Sequence, residues 1–96
     1  MTTTVGLGRS KRHAQQLKQL GYRRHPHGDG WVRPVKRSWY PRFHLYERVD
    51  WGKRTITIDL HLDHAREDPD DWKRTASSDG PEVAAEMARI IAAFTG

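Results

Sequence analysis

The stretch RFHLYERVDWGKRTITIDLHLDH, residues 42–64, restricts the fold more than any other part of the chain. Phe43 and Leu45 alternate with polar residues, and after a DWGK turn signal Ile56, Ile58, Leu60 and Leu62 do the same. Two runs of period two joined by a short turn make a β-hairpin with one apolar and one polar side. Placing Trp51 and Gly52 at the tip sets Val49 opposite Arg54, Leu45 opposite Ile58 and Phe43 opposite Leu60, so both strands turn their apolar residues the same way. The opposite side then carries Arg42, His44 and Tyr46 facing His61, Asp59 and Thr57.

An apolar sheet face has to be covered, and two helical patterns supply the cover. SKRHAQQLKQLGY predicts a helix over residues 11–20, with Ser10 as its N-cap, Ala14, Leu17 and Leu20 on one side, and Gly21 to end it. The chain closes with PEVAAEMARIIAAF, where Pro81 suits the first helical position and Val83, Met87, Ile90, Ile91 and Phe94 recur at helical spacing. Between Tyr22 and Pro41, three prolines and an HGDG turn signal predict irregular chain or edge strand, with Trp31, Val32 and Val35 in short extended pieces. Residues 1–9 read as a tail, and residues 64–80 as a long acidic connection that Trp72 could pin to the core. The expected fold is a single α+β domain spanning residues 1–96: an antiparallel sheet of three or four strands, both helices on one face, the other face open.

With 96 residues, 35% hydrophobic residues and a mean hydropathy of -0.90, the chain has room for one modest core and no second domain. It has no cysteine, which removes disulfides, thiolate ligands and a cysteine nucleophile. No apolar run reaches the length of a signal peptide or membrane span, so the expectation is a cytoplasmic protein without membrane association. Charge is divided unevenly: residues 1–49 hold 11 Lys and Arg against Asp29 and Glu47, whereas residues 50–96 hold 6 against 10 acids. A basic half rich in aromatic residues reads as a surface for phosphates.

The segment DLHLDH, from Asp59 to His64, differs by one letter from H-x-H-x-D-H, a pattern that holds zinc in a large hydrolase superfamily. Asp59 stands where the first histidine of that pattern would be, and the unbroken alternation from Ile56 makes the segment strand rather than loop. On the polar side Arg42, His44, Tyr46, Asp59 and His61 form a cluster, and its chemistry has more than one use. His44, Asp59 and His61 suit zinc or nickel with an open position, although with no third histidine assured zinc is not expected to bind well. The same residues suit metal-free ribonuclease chemistry, one imidazole taking a proton while the other gives one and an arginine meets the phosphorane charge. They also suit an ordinary solvent-facing sheet surface. His25 and His27, flanking Pro26, form a short chelating pattern that loops often carry.

Helix, strands and helix in that order, with LKQLGY leading into the sheet, resemble the HicA-type toxin fold, a compact relative of the double-stranded-RNA-binding domain. That resemblance implies RNA cleavage through a histidine at the start of the second strand, in a G-S-H context, and a partner antitoxin. Here the matching stretch is YPRFHLY, without the glycine and serine and with His44 one residue late. PRFHLY, LHLD and the DGPEVAAEMARI helix are also similar to short bacterial proteins; that likeness places His44, His61 and Asp63 in one module and brings no function with it. The leading expectation is a nucleic-acid-binding module, for RNA, with Arg33, Lys36, Arg37 and Arg42 on phosphates and Trp31, Trp39, Tyr40 and Tyr46 against bases. A HicA-like ribonuclease, a small metal-binding domain and a protein-interaction module using the acidic connection are the alternatives.

Overall fold

The computed structural model describes residues 1–7, 12–26, 28–37, 40–64, 76–77 and 79–95. Strand β1 spans Thr2–Gly6, helix α1 His13–Gln19, β2 Arg23–Arg24, β3 Trp31–Pro34, β4 Arg42–Asp50, β5 Thr55–Asp63, β6 Ala76–Ser77 and helix α2 Pro81–Thr95. The architecture is α+β. Its antiparallel sheet runs β1-β5-β4-β3-β2, with β6 pairing to the end of β5. This is more than the three or four strands read from the sequence, because the segments flanking the hairpin also join the sheet.

The first addition comes from residues 1–7, which are not a tail. Three β-branched threonines and Val5 suit a pleated surface, and β1 covers the outer edge of β5, which would otherwise present unpaired backbone groups. Met1 secures its start: its amino group donates to the Leu60 carbonyl at 2.9 Å, and the Leu60 amide donates back at 2.7 Å. The second addition is the short β2–β3 ribbon, where the sequence shows irregular chain or edge strand.

Both helices lie on the apolar face. Leu17 from α1 and Val83, Met87, Ile90 and Phe94 from α2 join Phe43, Leu45, Ile56, Ile58, Leu60 and Leu62 in one buried cluster. Gln16 ties the helices together by donating from Nε2 to the Ala93 carbonyl at 3.0 Å. Helix α1 ends as its sequence requires. Gly21 takes a φ of 102°, and the Gly21 and Tyr22 amides donate back to the Lys18 and Leu17 carbonyls, both at 3.0 Å. At its start Arg12 occupies the cap position with no side-chain hydrogen bond; Ser10 lies outside the described residues. The expected pinning role of Trp72 and most of the 64–80 connection also lie outside them. Among the described residues no helix is long and apolar enough to cross a membrane.

A carboxylate anchors α2 to the sheet. Glu86, 4% exposed, accepts hydrogen bonds from the Tyr22 hydroxyl at 2.6 Å, Arg33 Nε at 2.9 Å and Arg89 Nε at 2.7 Å. Burial pushes its carboxyl up, but the hydrogen bonds from Arg89, Arg33 and Tyr22 and the charge of Arg33 outweigh that and hold it at about 2. Burial and the neighbouring Glu86 push the Tyr22 hydroxyl far above its ordinary value.

The hairpin is where the structure corrects the sequence most usefully. Four residues, Trp51 to Arg54, form its turn: Asp50 pairs with Thr55, the Asp50 carboxylate accepts the Lys53 amide at 3.1 Å, and Arg54 adopts a positive φ of 53°. All pairings are therefore displaced by two residues from the expected ones. Leu45 faces Leu60, Phe43 faces Leu62, His44 faces His61, Tyr46 faces Asp59 and Arg42 faces Asp63. An even displacement keeps every side chain on its expected face and changes every partner.

Candidate metal centre

The displaced register decides which acid meets the histidines. On the polar face, His44 and His61 are direct cross-strand neighbours with ring centroids 4.9 Å apart. Asp63, opposite Arg42, reaches both. Its Oδ1 lies 2.9 Å from His61 Nε2, and its Oδ2 lies 3.3 Å from His44 Nδ1 and 3.2 Å from Arg42 Nε. One ligand atom from each of His44, His61 and Asp63 lies within 4.8 Å of the others. Asp59 shares the face but not the site: it is 58% exposed in its side chain, accepts from the Thr2 hydroxyl at 3.1 Å and lies 3.9 Å from the Met1 amino group.

This face is not open, as the sequence suggested, at the β3–β4 end. Arg42 and His44 are buried, and so is Val32, which faces His44 from β3. His25 and Asp29, between β2 and β3, lie against Arg42 and His44. His25 stacks on His44 at 5.4 Å between ring centroids and receives Arg42 Nη2 on its Nε2 at 3.2 Å. The Asp29 carbonyl lies 3.1 Å from His44 Nε2. Gly30 makes the close approach workable: its φ is 86°, and a Cβ built there would lie 2.5 Å from the Leu45 carbonyl oxygen and 3.3 Å from His44 Nε2. Tyr46 also stacks on His44, with centroids 4.5 Å apart, and is 40% exposed.

Burial alone would raise the Asp63 carboxyl, but hydrogen bonds from His44 and His61, the charge of His61 and the hydrogen bond from Arg42 hold it well below the usual carboxylate range. Asp63 is therefore a carboxylate at any ordinary pH. His44 has an oxygen at each ring nitrogen, the Asp63 carboxylate at Nδ1 and the Asp29 carbonyl at Nε2. A neutral imidazole carries one N–H and satisfies one of these oxygens. An Nδ1–H tautomer serves the carboxylate and leaves the Asp29 carbonyl facing a lone pair, whereas an Nε2–H tautomer serves the carbonyl and turns the Nδ1 lone pair towards Asp63, the arrangement in which a metal ion fits between them.

The other residues singled out in the sequence scatter. Arg33 turns to the apolar face and bonds Glu86; Trp31 is fully buried, its Nε1 donating to Glu47, and is no stacking platform. Lys36 and Arg37 are exposed beyond β3, and Tyr40 is half-buried with the Arg42 guanidinium 4.7 Å from its ring centroid. Trp39 and His27 lie outside the described residues, and His64 is exposed past the end of β5. The sequence ties Asp63 to this module only through a likeness, and the cluster read from periodicity does not include it. Its two-residue spacing from His61, in phase with His61 and Asp59, was the available signal. Comparison with protein-family models, with curated proteins and with solved structures gives no match.

Proposed function

We propose that this chain is a divalent-metal-binding domain whose ligands are His44, His61 and Asp63. The observation that carries it is the pair of oxygens bracketing the His44 ring. Metal-ligating histidines commonly give their second N–H to a carbonyl, and ligating carboxylates are themselves hydrogen-bonded. Asp29 and Arg42 supply those two supports. Metal bonds of ~2.0–2.2 Å to nitrogen and oxygen set neighbouring ligand atoms ~3.3 Å apart in a tetrahedron. Asp63 Oδ2 lies 3.3 Å from His44 Nδ1 and Oδ1 lies 2.9 Å from His61 Nε2, while one ligand atom from each residue lies within 4.8 Å of the others, so the three side chains have to draw in slightly to reach that spacing. Two imidazoles and one carboxylate suit zinc, nickel or cobalt, and leave the fourth position to water or an anion. The Arg42 cation beside the carboxylate moderates the affinity.

Metal-independent RNA cleavage would need an imidazole nitrogen aimed at substrate. Both His44 nitrogens face protein oxygens, so His44 is poorly placed for that role.

Titration calorimetry with zinc on the wild type, His61→Ala, Asp63→Asn and Asp59→Asn tests the reading. Binding is expected in the wild type and Asp59→Asn, and lost in the other two. Because metal ligands bind deprotonated and binding releases protons, the apparent enthalpy should vary with the buffer's own ionisation enthalpy, and affinity should fall in acid. Absence of zinc, nickel and cobalt binding, or equal binding by Asp63→Asn, overturns it. Metal-independent RNA cleavage abolished by His44→Ala would favour the ribonuclease reading instead.

A further inference from the structure

At the other end of β4, ~20 Å from His44 at the ordinary strand rise, the hairpin tip projects Trp51. It is 63% exposed, far more than any other described large hydrophobic residue. It stands between two open hollows. One, of about 470 Å³, is lined by Arg12, His13 and Lys18 with one side of Trp51; the other, of about 550 Å³, lies on the polar sheet face and includes Arg48 and Lys53. Both fall in the ~300–1,000 Å³ range of small-ligand hollows. Arg12, Lys18, Arg48 and Lys53 are all exposed. The single acid lining either hollow is Asp50, whose Oδ1 already accepts the Lys53 amide. His13 supports the indole, with ring centroids 6.2 Å apart and planes inclined at 58°.

We infer that this tip grips a single-stranded polynucleotide, one base stacking on Trp51 while the adjoining phosphates meet Arg12 and Lys18 on one side and Arg48 and Lys53 on the other. The charge selects a polyanion. The projecting indole selects unpaired bases, because stacking platforms with flanking cations hold single strands irrespective of sequence, whereas duplex bases already stack on each other. Neither feature reads a 2′-hydroxyl, so RNA and DNA strands bind comparably. The surface is separate from the metal centre and shares no residue with it.

Fluorescence anisotropy with dye-labelled oligouridylate, oligothymidylate and a duplex of equal length, at low salt, tests this. Both single strands should bind and the duplex more weakly, with log affinity falling with log salt at a slope of about -0.7 per phosphate neutralised. Trp51→Ala should weaken single-strand binding by roughly 5- to 100-fold with little change in slope, and Trp51→Phe should restore part of it. Lys18→Glu with Arg48→Glu should weaken binding and flatten the slope. Lys36→Glu with Arg37→Glu, beyond the Pro34 that pairs with Arg42 at the opposite end of β4, should change affinity less than about twofold. His61→Ala should bind the strands normally, and Trp51→Ala should bind zinc normally, so the two proposals fail separately. No binding by the wild type, unchanged binding by a folded Trp51→Ala, preference for the duplex, or equally good competition by polyglutamate each overturns the inference.

Discussion

Replacing Glu86 by Gln should reveal how α2 is fastened. Glutamine keeps the shape of a protonated glutamate and removes its charge, while Arg33, Arg89 and Tyr22 remain. The carboxyl falls from 4.5 to about 2 on folding. At about 1.36 kcal/mol per pH unit, this favours the charged folded state by about 3 kcal/mol. The folded value is depressed, so this stability is fully present above about pH 4.5 and disappears as the pH falls through about 2. Near pH 7 Glu86→Gln should therefore be less stable by about 3 kcal/mol, in line with the cost of removing one member of a buried ion pair. Near pH 3 the same linkage leaves about 1.5 kcal/mol. Urea unfolding of both proteins at the two pH values measures the difference, and because Asp63 is common to both, its own acid sensitivity cancels. An unchanged gap at the two pH values would refute the reasoning, because the loss would then come from shape or hydrogen bonding and not from the carboxylate charge.

Leu60→Ala, at a fully buried position on the central strand β5, should cost ~2–5 kcal/mol, and His61→Ala, one residue along, only about 1 kcal/mol; equal losses in urea would show His61 to be a packing residue. Gly30→Ala should destabilise by at least ~2 kcal/mol, since it combines a positive φ with a methyl group 2.5 Å from the Leu45 carbonyl; an unchanged melting temperature contradicts this. Tyr22→Phe removes a 2.6 Å hydrogen bond to a carboxylate and should cost ~1.5–3 kcal/mol near neutrality. The folded Tyr22 hydroxyl is raised above 10.0, so wild-type stability should be intact below that pH and fall as pH rises towards the folded value, a decline missing from Tyr22→Phe.

Periodicity made part of this molecule legible. Leu17, Val83, Met87, Ile90 and the alternating residues of β4 and β5 all turn inward as their spacing predicts. The polar side of the hairpin was equally readable, and His44, Asp59 and His61 do share it. What period two cannot supply is the partner across the gap, since displacement by two residues leaves every face unchanged. That choice lay in the turn, in Asp50 capping Lys53 and Arg54 accepting a positive φ, and it exchanged Asp59 for Asp63. Strand β1 is not legible in the sequence because threonines carry no apolar run; its pairing follows from the exposed edge of β5.

The uneven charge has a similar explanation. The basic half offers Arg33 and Arg42, and the acidic half answers with Glu86 and Asp63, so part of what read as a phosphate surface is spent inside the fold. The two arginines sit on opposite faces of neighbouring strands. Arg33 fixes the helix layer against the sheet, and Arg42 fixes the carboxylate that joins His44 to His61. Composition counts both as free cations, and only strand register and helix packing tell them from Arg12, Lys18, Arg48 and Lys53, which remain exposed around Trp51. The charge asymmetry therefore belongs partly to the assembly of the domain and partly to the hairpin tip.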